Sequence, residues 1–471
     1  MPFFSHATMD STDTIAAVAT PLGRGGIGIV RISGPKSREI GETLFVSARR
    51  DFGGFASHVL HHGWIVSCQG QRIDEVLTSF MPAPASYTGE DVLEINSHGG
   101  PAVVQTILEL VLEQGARLAD PGEFTLRAFL NGRMDLSQAE AVAEMVEADT
   151  RIGLDLAGAK LGGGLRETVH SLRSRLQGLL ARLMAELDFP EEMAEHAEEM
   201  ETAEYVCAEL NTVQEQLHSL LEAASRYRCY REGALVVLSG PVNAGKSSLL
   251  NALLGRKRAI VTSVPGTTRD YLEEGLNLDG LPIRLVDTAG LRQTEDEVER
   301  AGLEQGADLM QQADLVCLVF DRSRELDADL REAAGRLGTA RVLAVGNKQD
   351  LIFDEWDSER WFRDRGFSCV AVSALTGDGV DALARAIREK IVGLSPEPAG
   401  DELVPNMRQK TLLEKARQAL GEAGQAIESG MPPDVVLVPL QTGVDRLGEI
   451  TGEISSEDVL DQIFSRFCIG K

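Results

Sequence analysis

The feature that most constrains the fold is a glycine-rich segment at residues 240–248, GPVNAGKSS. It directly follows the apolar run ALVVL and precedes the helix-like run LLNALLG. In a loop between strand and helix, backbone N–H groups can cradle phosphates, Lys246 can reach the β- and γ-phosphates, and the Ser247 hydroxyl can bind Mg²⁺. We predict a phosphate-binding loop formed by Asn243, Ala244, Gly245, Lys246, Ser247 and Ser248, with Lys246 as a catalytic residue.

Three short segments follow in the order typical of a guanine-nucleotide domain, each after its own apolar run. The first begins with Asp287 at the end of LPIRLVD, where a carboxylate can hold Mg²⁺ through water. The second ends with Asp350, whose carboxylate can accept hydrogen bonds from N1–H and the 2-amino group of guanine. The third can contact the base from its other side. These segments are Asp287, Thr288, Ala289 and Gly290; Asn347, Lys348, Gln349 and Asp350; and Ser373, Ala374 and Leu375.

The predicted GTP site lacks the glutamine that usually orients the attacking water, because Leu291 follows Gly290. Asn243 offers a side-chain carbonyl to a hard cation, and the loop TSVPGTT can place backbone carbonyls over the same position. A monovalent cation there would put positive charge between the β- and γ-phosphates. We predict Thr268 as the second Mg²⁺ ligand. The loop consists of Thr262, Ser263, Val264, Pro265, Gly266, Thr267 and Thr268.

Segments outside the nucleotide motifs carry a family resemblance. They are residues 20–34 (TPLGRGGIGIVRISG), 87–94 (YTGEDVLE), 121–133 (PGEFTLRAFLNGR) and 468–471 (CIGK). With these segments the chain resembles the MnmE (TrmE) family, GTPases that modify the wobble uridine of certain tRNAs. The resemblance spans nearly the whole chain.

The resemblance implies a reaction and its partners. A homodimer of this chain would form a heterotetramer with an FAD-dependent partner similar to MnmG and add a carboxymethylaminomethyl-type group to the 5-position of the uridine. The carbon would come from 5-formyl- or methylene-tetrahydrofolate, bound by the N-terminal domain. The folate contacts carried over by position are Arg31, Glu94, Arg133 and Lys471. The other interpretation of Arg31 and Glu94 is an ordinary ion pair beside a strand.

The resemblance also implies how GTP is hydrolysed. Potassium would be held by Asn243, Thr262, Val264 and Thr267, and hydrolysis would begin when two nucleotide domains meet. Glu299 would position the water, although the sequence itself does not choose among Glu295, Glu297 and Glu299.

Cys468 is the most distinctive residue outside the nucleotide motifs. Its thiol, three residues from Lys471, could act as a catalytic nucleophile or acid toward the uracil ring. It could equally pack as a small apolar residue against Phe464 and Phe467.

Composition bears on how the chain could bind nucleic acid and on its cellular location. The net charge of −27, from 46 basic and 73 acidic residues, argues against binding nucleic acid by bulk electrostatics. Two short basic stretches, residues 255–258 (GRKR) and 226–231 (RYRCYR), could bind tRNA or stack bases, but solvated surface is the simpler interpretation. The six cysteines are scattered and no membrane-spanning run occurs, so we expect a cytoplasmic protein.

The changes in hydrophobic period predict the organisation of the chain. We expect an α/β P-loop GTPase domain inserted into an all-helical domain and preceded by an α+β N-terminal domain. The predicted boundaries are 1–133, 134–233, 234–393 and 394–471. Helical periodicity covers residues 103–113, 137–149, 152–188, 202–224, 411–427 and 433–447, and Asp279-Gly280 predicts a hairpin with positive φ at both residues.

The alternative function is a nucleotide-controlled switch in ribosome assembly. That class of protein places a basic RNA-binding module beside its GTPase domain. The flanking regions here are acidic and largely helical, which disfavours a switch of this kind.

Overall fold

A computed structural model describes residues 13–21, 23–188, 202–256, 259–260, 273–287, 308–351 and 358–470. The chain forms two compact units. The first comprises residues 1–143, 166–177 and 444–471, and the second comprises residues 144–165 and 178–443. Within the described ranges, no helix is long and apolar enough to cross a membrane.

The first unit is built on a seven-stranded sheet with the order β3-β4-β5-β6-β2-β1-β7. Its strands are β1 Ile15–Val18, β2 Gly28–Ser33, β3 Phe45–Ser47, β4 Leu60–Val66, β5 Arg72–Met81, β6 Val92–Ser97 and β7 Arg117–Leu118. Its first helices are α1 Ser37–Leu44, α2 Pro101–Glu113 and α3 Glu123–Leu130.

Alternation along β2 separates the core-facing side chains of this sheet from those on its opposite face. Val30 and Ile32 are fully buried in a core that also contains residues of α1 and α2. Because successive side chains of a strand point to opposite faces, Arg31 lies on the other face. The antiparallel register pairs Arg31 with Glu94 of β6.

The helical segments of the chain's middle part differ from the prediction most clearly within residues 152–188. They are α4 Leu136–Glu147, α5 Arg151–Leu161, α6 Gly164–Asp188, α7 Thr202–Arg226 and α8 Arg228–Glu232. The single helix predicted over residues 152–188 is wrong, because two helices cover this range. Gly163, with φ +93°, takes a left-handed conformation between them that side chains disfavour. The acidic stretch at residues 191–199 lies outside the described residues.

The second unit contains another seven-stranded sheet, ordered β14-β13-β12-β8-β11-β10-β9. Its strands are β8 Ala234–Ser239, β9 Ala259–Ile260, β10 Glu273–Leu278, β11 Leu281–Asp287, β12 Leu315–Asp321, β13 Val342–Asn347 and β14 Ser368–Ala371. Its helices are α9 Lys246–Arg256, α10 Ala328–Leu337, α11 Ser358–Arg363 and α12 Val380–Leu394. Five strands are parallel, so their carboxyl ends lie at one edge.

The predicted hairpin is confirmed. Asp279 and Gly280 have φ values of +50° and +93°, and they join β10 to β11 in antiparallel register. A side chain at Gly280 would place its Cβ 3.2 Å from Ile152 Cδ1 of α5. The turn therefore packs closely against α5, a helix that ends 118 residues before Asp279 in the sequence.

The last helices are α13 Met407–Glu428, α14 Pro433–Thr451 and α15 Glu457–Phe464. The helix predicted from residue 411 begins four residues earlier. Asn406 and Gln409 form a reciprocal capping box, which stabilises the first turn although the apolar periodicity starts later.

The stretch RYRCYR is not a base-stacking surface. Tyr227 and Tyr230 are 7% and 1% exposed, and they belong to the core of the second unit. The Tyr230 hydroxyl donates to the Ser395 carbonyl, and Arg228 pairs with Asp314. For the tyrosines, both the base-stacking interpretation and the simpler one of solvated surface are therefore wrong, because they are buried in the segment that enters the nucleotide domain. The second basic stretch, GRKR, lies partly outside the described residues.

Candidate functional site

The phosphate-binding loop predicted at residues 240–248 connects β8 to α9. Asn243 and Gly245 have φ values of +63° and +90°, an alternation of backbone conformation that turns successive N–H groups into a concave anion site. A Cβ at Gly245 would lie 2.2 Å from Asn347 Nδ2. Glycine is therefore required at this position by both space and conformation.

Lys246 is the first residue of α9 and is 6% exposed. Its Nζ donates hydrogen bonds to the carbonyl oxygens of Gly240 and Pro241, at 2.8 and 2.9 Å. The ammonium group is thus held along the loop, on protein acceptors that phosphate oxygens can replace. Ser248 lies in the first turn of the same helix.

The two groups predicted on the magnesium side meet each other. Ser247 Oγ donates to Asp287 Oδ2 at 2.6 Å, and Asp287 is only 4% exposed at the carboxyl end of β11. A hydroxyl and a carboxylate form the all-oxygen environment that Mg²⁺ prefers, so the residues present fit this ion. The predicted site residues that lie outside the described part of the chain are Thr262, Ser263, Val264, Pro265, Gly266, Thr267, Thr268, Thr288, Ala289, Gly290, Glu299 and Lys471.

Asn347 joins the predicted base-binding loops to the phosphate loop. Its Nδ2 donates to the Ala244 carbonyl at 2.8 Å, and its Oδ1 accepts from the backbone N–H groups of Lys348 and Ala374, at 2.8 and 3.0 Å. The residue is 2% exposed at the end of β13. One buried amide therefore fixes three chain segments.

The guanine-side residues are also brought together. Ser373 Oγ donates to Asp350 Oδ1 at 2.5 Å, and the Gln349 N–H donates to the Val372 carbonyl. Leu375 is 85% exposed at the rim of this region. The Asp350 carboxylate is thus oriented by the loop that would contact the base from the other side.

Asp321, at the end of β12, is a neighbour that the sequence did not reveal. It accepts from Lys348 Nζ at 2.6 Å, 27 residues away in sequence. Burial opposes ionisation of Asp321, but hydrogen bonds from Lys348 and Ser323 outweigh it and hold the pKa of Asp321 below its ordinary value. Asp321 therefore stays ionised and keeps the Lys348 side chain extended.

The first unit contains the pair predicted to contact folate. Arg31 Nε lies 2.8 Å from Glu94 Oε1, and their side chains are 19% and 22% exposed. The guanidinium carbon lies 5.3 Å from the Tyr87 ring centroid and 5.7 Å from that of Phe124. Arg31 is thus held in a partly exposed aromatic site.

Arg133 and Cys468 are exposed residues of the same unit. The aliphatic part of Arg133 lies beside Gly89, where a Cβ would be 3.3 Å from Arg133 Cγ. The interpretation of Cys468 as a buried apolar residue is wrong, because Phe464 and Phe467 are buried while the thiol between them and Gly470 faces solvent.

A charge network around the buried pair of Arg127 and Glu123 was not predicted from the sequence. Arg127 Nη2 lies 2.9 Å from Glu123 Oε1 and 2.6 Å from Asp13 Oδ1, and its Nη1 lies 3.3 Å from Glu90. Arg117 pairs with the same Glu123 at 2.7 Å. The spacing of Glu123 and Arg127, four residues apart in a helix, was the one available signal.

A phosphate loop, a Ser–Asp pair and base-side loops all lie at the carboxyl edge of one largely parallel sheet. This arrangement defines the chain as a P-loop nucleotide-binding protein of the GTPase class. The family model described as GTP-binding protein TrmE N-terminus matches residues 14–133, and that of the MnmE helical domain matches residues 136–468. The chain belongs to the MnmE (TrmE) family of tRNA modification GTPases.

Individual relatives match over nearly their whole length. The tRNA modification GTPase MnmE of Nitratidesulfovibrio vulgaris (strain DP4) is 49% identical over 466 residues, covering 98% of this chain and 100% of the relative. The proteins of the same name from Carboxydothermus hydrogenoformans and Symbiobacterium thermophilum are 44% and 46% identical, each over 98% of this chain and 99% of the relative. The chain is therefore a GTPase.

Proposed function

We propose that this GTPase, with an FAD-dependent partner similar to MnmG, adds a carboxymethylaminomethyl-type group to the 5-position of the wobble uridine of certain tRNAs. The observation that carries the proposal is the whole-chain match to relatives named tRNA modification GTPase. Such a match includes the first unit as well as the nucleotide domain. A ribosome-assembly switch related through the nucleotide domain alone would not share both.

The proposed carbon donor is a 5-formyl- or methylene-tetrahydrofolate bound in the first unit. Arg31 and Arg133 would bind its anionic glutamate tail, with a further contribution from Lys471, and the Glu94 carboxylate would accept from its amino-pyrimidine edge. The ion pair of Arg31 with Glu94 alone fits either interpretation; the assignment is supported by the partial exposure of both side chains and by the Tyr87 and Phe124 rings beside the guanidinium. The folate, when bound, would supply the one-carbon unit.

In the nucleotide domain, the loop amides and Lys246 would bind the phosphates of GTP. The ammonium group would exchange its two loop carbonyls for the β- and γ-phosphate oxygens. Ser247 and Thr268 would hold Mg²⁺, which offsets the negative charge of the phosphates, and Asp287 would support it. Asp350 would accept from guanine, and Glu299 would orient the attacking water.

We further propose that potassium and a second copy of the chain complete the hydrolytic site. Asn243 is exposed at the top of the phosphate loop, where its side-chain carbonyl can reach a cation. The other proposed potassium ligands are Thr262, Val264 and Thr267.

We also propose that the protein is cytoplasmic. The free state of all six cysteines supports this location.

Replacing sodium with potassium is expected to raise GTP turnover by about 10²-fold, since a cation between the phosphates stabilises charge that develops in the transition state. The measurement is steady-state phosphate release at constant ionic strength and saturating Mg²⁺. The Asn243→Ala variant should lose most of this stimulation and keep the slow rate in sodium. Equal rates of the wild type in both salts would remove potassium from the proposal.

Nucleoside analysis of tRNA tests the proposed function. Cells lacking the protein should lose the 5-substituted uridine at the wobble position, and the wild-type gene should restore it. A gene carrying Lys246→Ala should fail to do so. Unchanged nucleosides in the deletion would contradict the proposal. Purified protein that binds no reduced folate at millimolar concentration would instead favour the ribosome-assembly switch.

A further inference from the structure

The residues 464–470, here called the 464–470 segment, are fixed at their first end by aromatic packing. Phe464 and Phe467 are 0% and 8% exposed, with ring centroids 5.3 Å apart. Gly122 has φ +71°, and a Cβ there would lie 2.5 Å from the Phe464 carbonyl oxygen. The segment thus packs directly on the chain just before α3, with no room for a side chain in between.

The other end of the 464–470 segment is fixed by a glycine. Gly470 is buried with φ +94°, and a Cβ there would lie 2.3 Å from the Val18 carbonyl oxygen and 3.0 Å from Ala19 Cα. Both neighbouring atoms belong to backbone, so they cannot move aside as a flexible side chain would. Only glycine fits this contact.

Gly470 also contacts Arg31, the residue proposed to bind the folate. Arg31 Nη1 donates to the Gly470 carbonyl at 3.2 Å, while Arg31 Nε donates to Glu94 Oε1 at 2.8 Å. These acceptors occupy different nitrogens of one planar guanidinium, and they therefore fix both the position and the rotation of the group.

Between the two fixed ends lie Cys468 and Ile469, both exposed. Two residues span at most about 7 Å, so the Cys468 side chain is confined to a small region near Arg31. The thiol is held in place although it makes no buried contact itself.

We infer that Phe467 and Gly470 are positioning residues, which orient the Arg31 guanidinium through the Gly470 carbonyl and hold Cys468 at the exposed edge beside it. The inference rests on the proposed function for its ligand, a reduced folate. The anchoring of the 464–470 segment at both ends does not depend on that ligand. Both residues belong to the first unit and the nucleotide site to the second, so the rate of GTP hydrolysis serves as an independent measurement.

A nitroxide on Cys468 tests the anchoring without any ligand. The background carries Cys68→Ser, Cys207→Ser and Cys369→Ser, which leaves the buried Cys229 and Cys317 unlabelled. We expect an immobilised spectrum for this protein and a mobile one after Gly470→Ala, because the added Cβ cannot fit against Val18. Phe467→Ala should also mobilise the label, and Phe467→Leu should restore much of the immobilisation. Ile469→Ala, at an exposed neighbouring position, is the matched control and should change nothing.

Folate affinity of the unlabelled proteins tests the link to Arg31. Gly470→Ala should weaken binding of 5-formyltetrahydrofolate about tenfold, the effect of losing one hydrogen bond that orients a charged group, with GTP turnover unchanged. An immobilised label in Gly470→Ala, or a mobile label with unchanged folate affinity, would overturn the inference. If the wild type binds no folate, the proposed function loses its donor, and label mobility still decides whether the segment is anchored.

Discussion

Exchanging Lys246 for alanine is expected to lower the rate of GTP hydrolysis by about 10³-fold, the scale of removing one group that stabilises transition-state charge. The ammonium lies on the Gly240 and Pro241 carbonyls, where it points along the phosphate loop. Its loss leaves the loop amides to bind the phosphates alone. The measurement is single-turnover hydrolysis, which separates the chemical step from nucleotide binding.

The matched control for this variant is Lys390→Ala. Lys390 is a partly exposed lysine of the same unit, and its Nζ also donates to a backbone carbonyl, that of Thr339. Both variants lose an ammonium and a carbonyl contact, but only one loses it at the phosphate loop. Near-wild-type hydrolysis by Lys246→Ala would show that the loop does not use this side chain.

Replacing Arg127 with alanine is expected to lower the free energy of unfolding by about 3–5 kcal/mol, the range for removing one partner of a buried ion pair. Arg127 and Glu123 have side chains 9% and 2% exposed, so the substitution leaves a buried carboxylate with less compensation. The measurement is chemical denaturation followed by circular dichroism.

Arg49→Ala provides the comparison, because Arg49 pairs with Asp51 where both side chains are about three-quarters exposed. An exposed pair contributes at most about 1 kcal/mol, so this variant should unfold almost as the wild type does. Equal effects of Arg127→Ala and Arg49→Ala would mean that the buried network contributes nothing special to stability.

Acid titration probes the same network from the carboxylate side. Burial opposes ionisation of Glu123, but hydrogen bonds from Arg117, the Asp120 N–H and Arg127 outweigh it and hold the pKa of Glu123 below its ordinary value. Because the folded pKa is the lower one, the stabilisation is complete above the ordinary carboxyl pKa and is lost as the pH falls through the folded value. Stability should therefore decline below about pH 5, more steeply in the wild type than in Glu123→Gln.

The arrangement of the described nucleotide-site residues was predictable because their motifs are contiguous and each follows a strand. Parallel strands end at one edge of a sheet, so Ser247 and Asp287, 40 residues apart, could be expected to meet. The hairpin at Asp279 was predictable for a similar reason, since two residues alone determine the turn. In each case a few consecutive residues determine the local structure or the chemical group that is presented.

The buried network was not predictable, because its partners are distant in sequence. Arg127 and Asp13 lie 114 residues apart, and no local sequence pattern around either residue predicts that the two are in contact. The stretch containing Tyr227 and Tyr230 misled for a different reason. Alternating arginines and tyrosines indicate an exposed stacking surface in an extended chain, but here Tyr227 lies in the turn between α7 and α8, Tyr230 lies in α8, and both side chains are buried.

The buried amide of Asn347 has a consequence for how the two loops that it joins can move. Because the same side chain bonds to Ala244 and to Ala374, a shift at either loop must be matched at the other or break a bond that water cannot replace. We therefore expect movements of the phosphate loop and of the loop that contains Ala374 to be coupled through the Asn347 side chain.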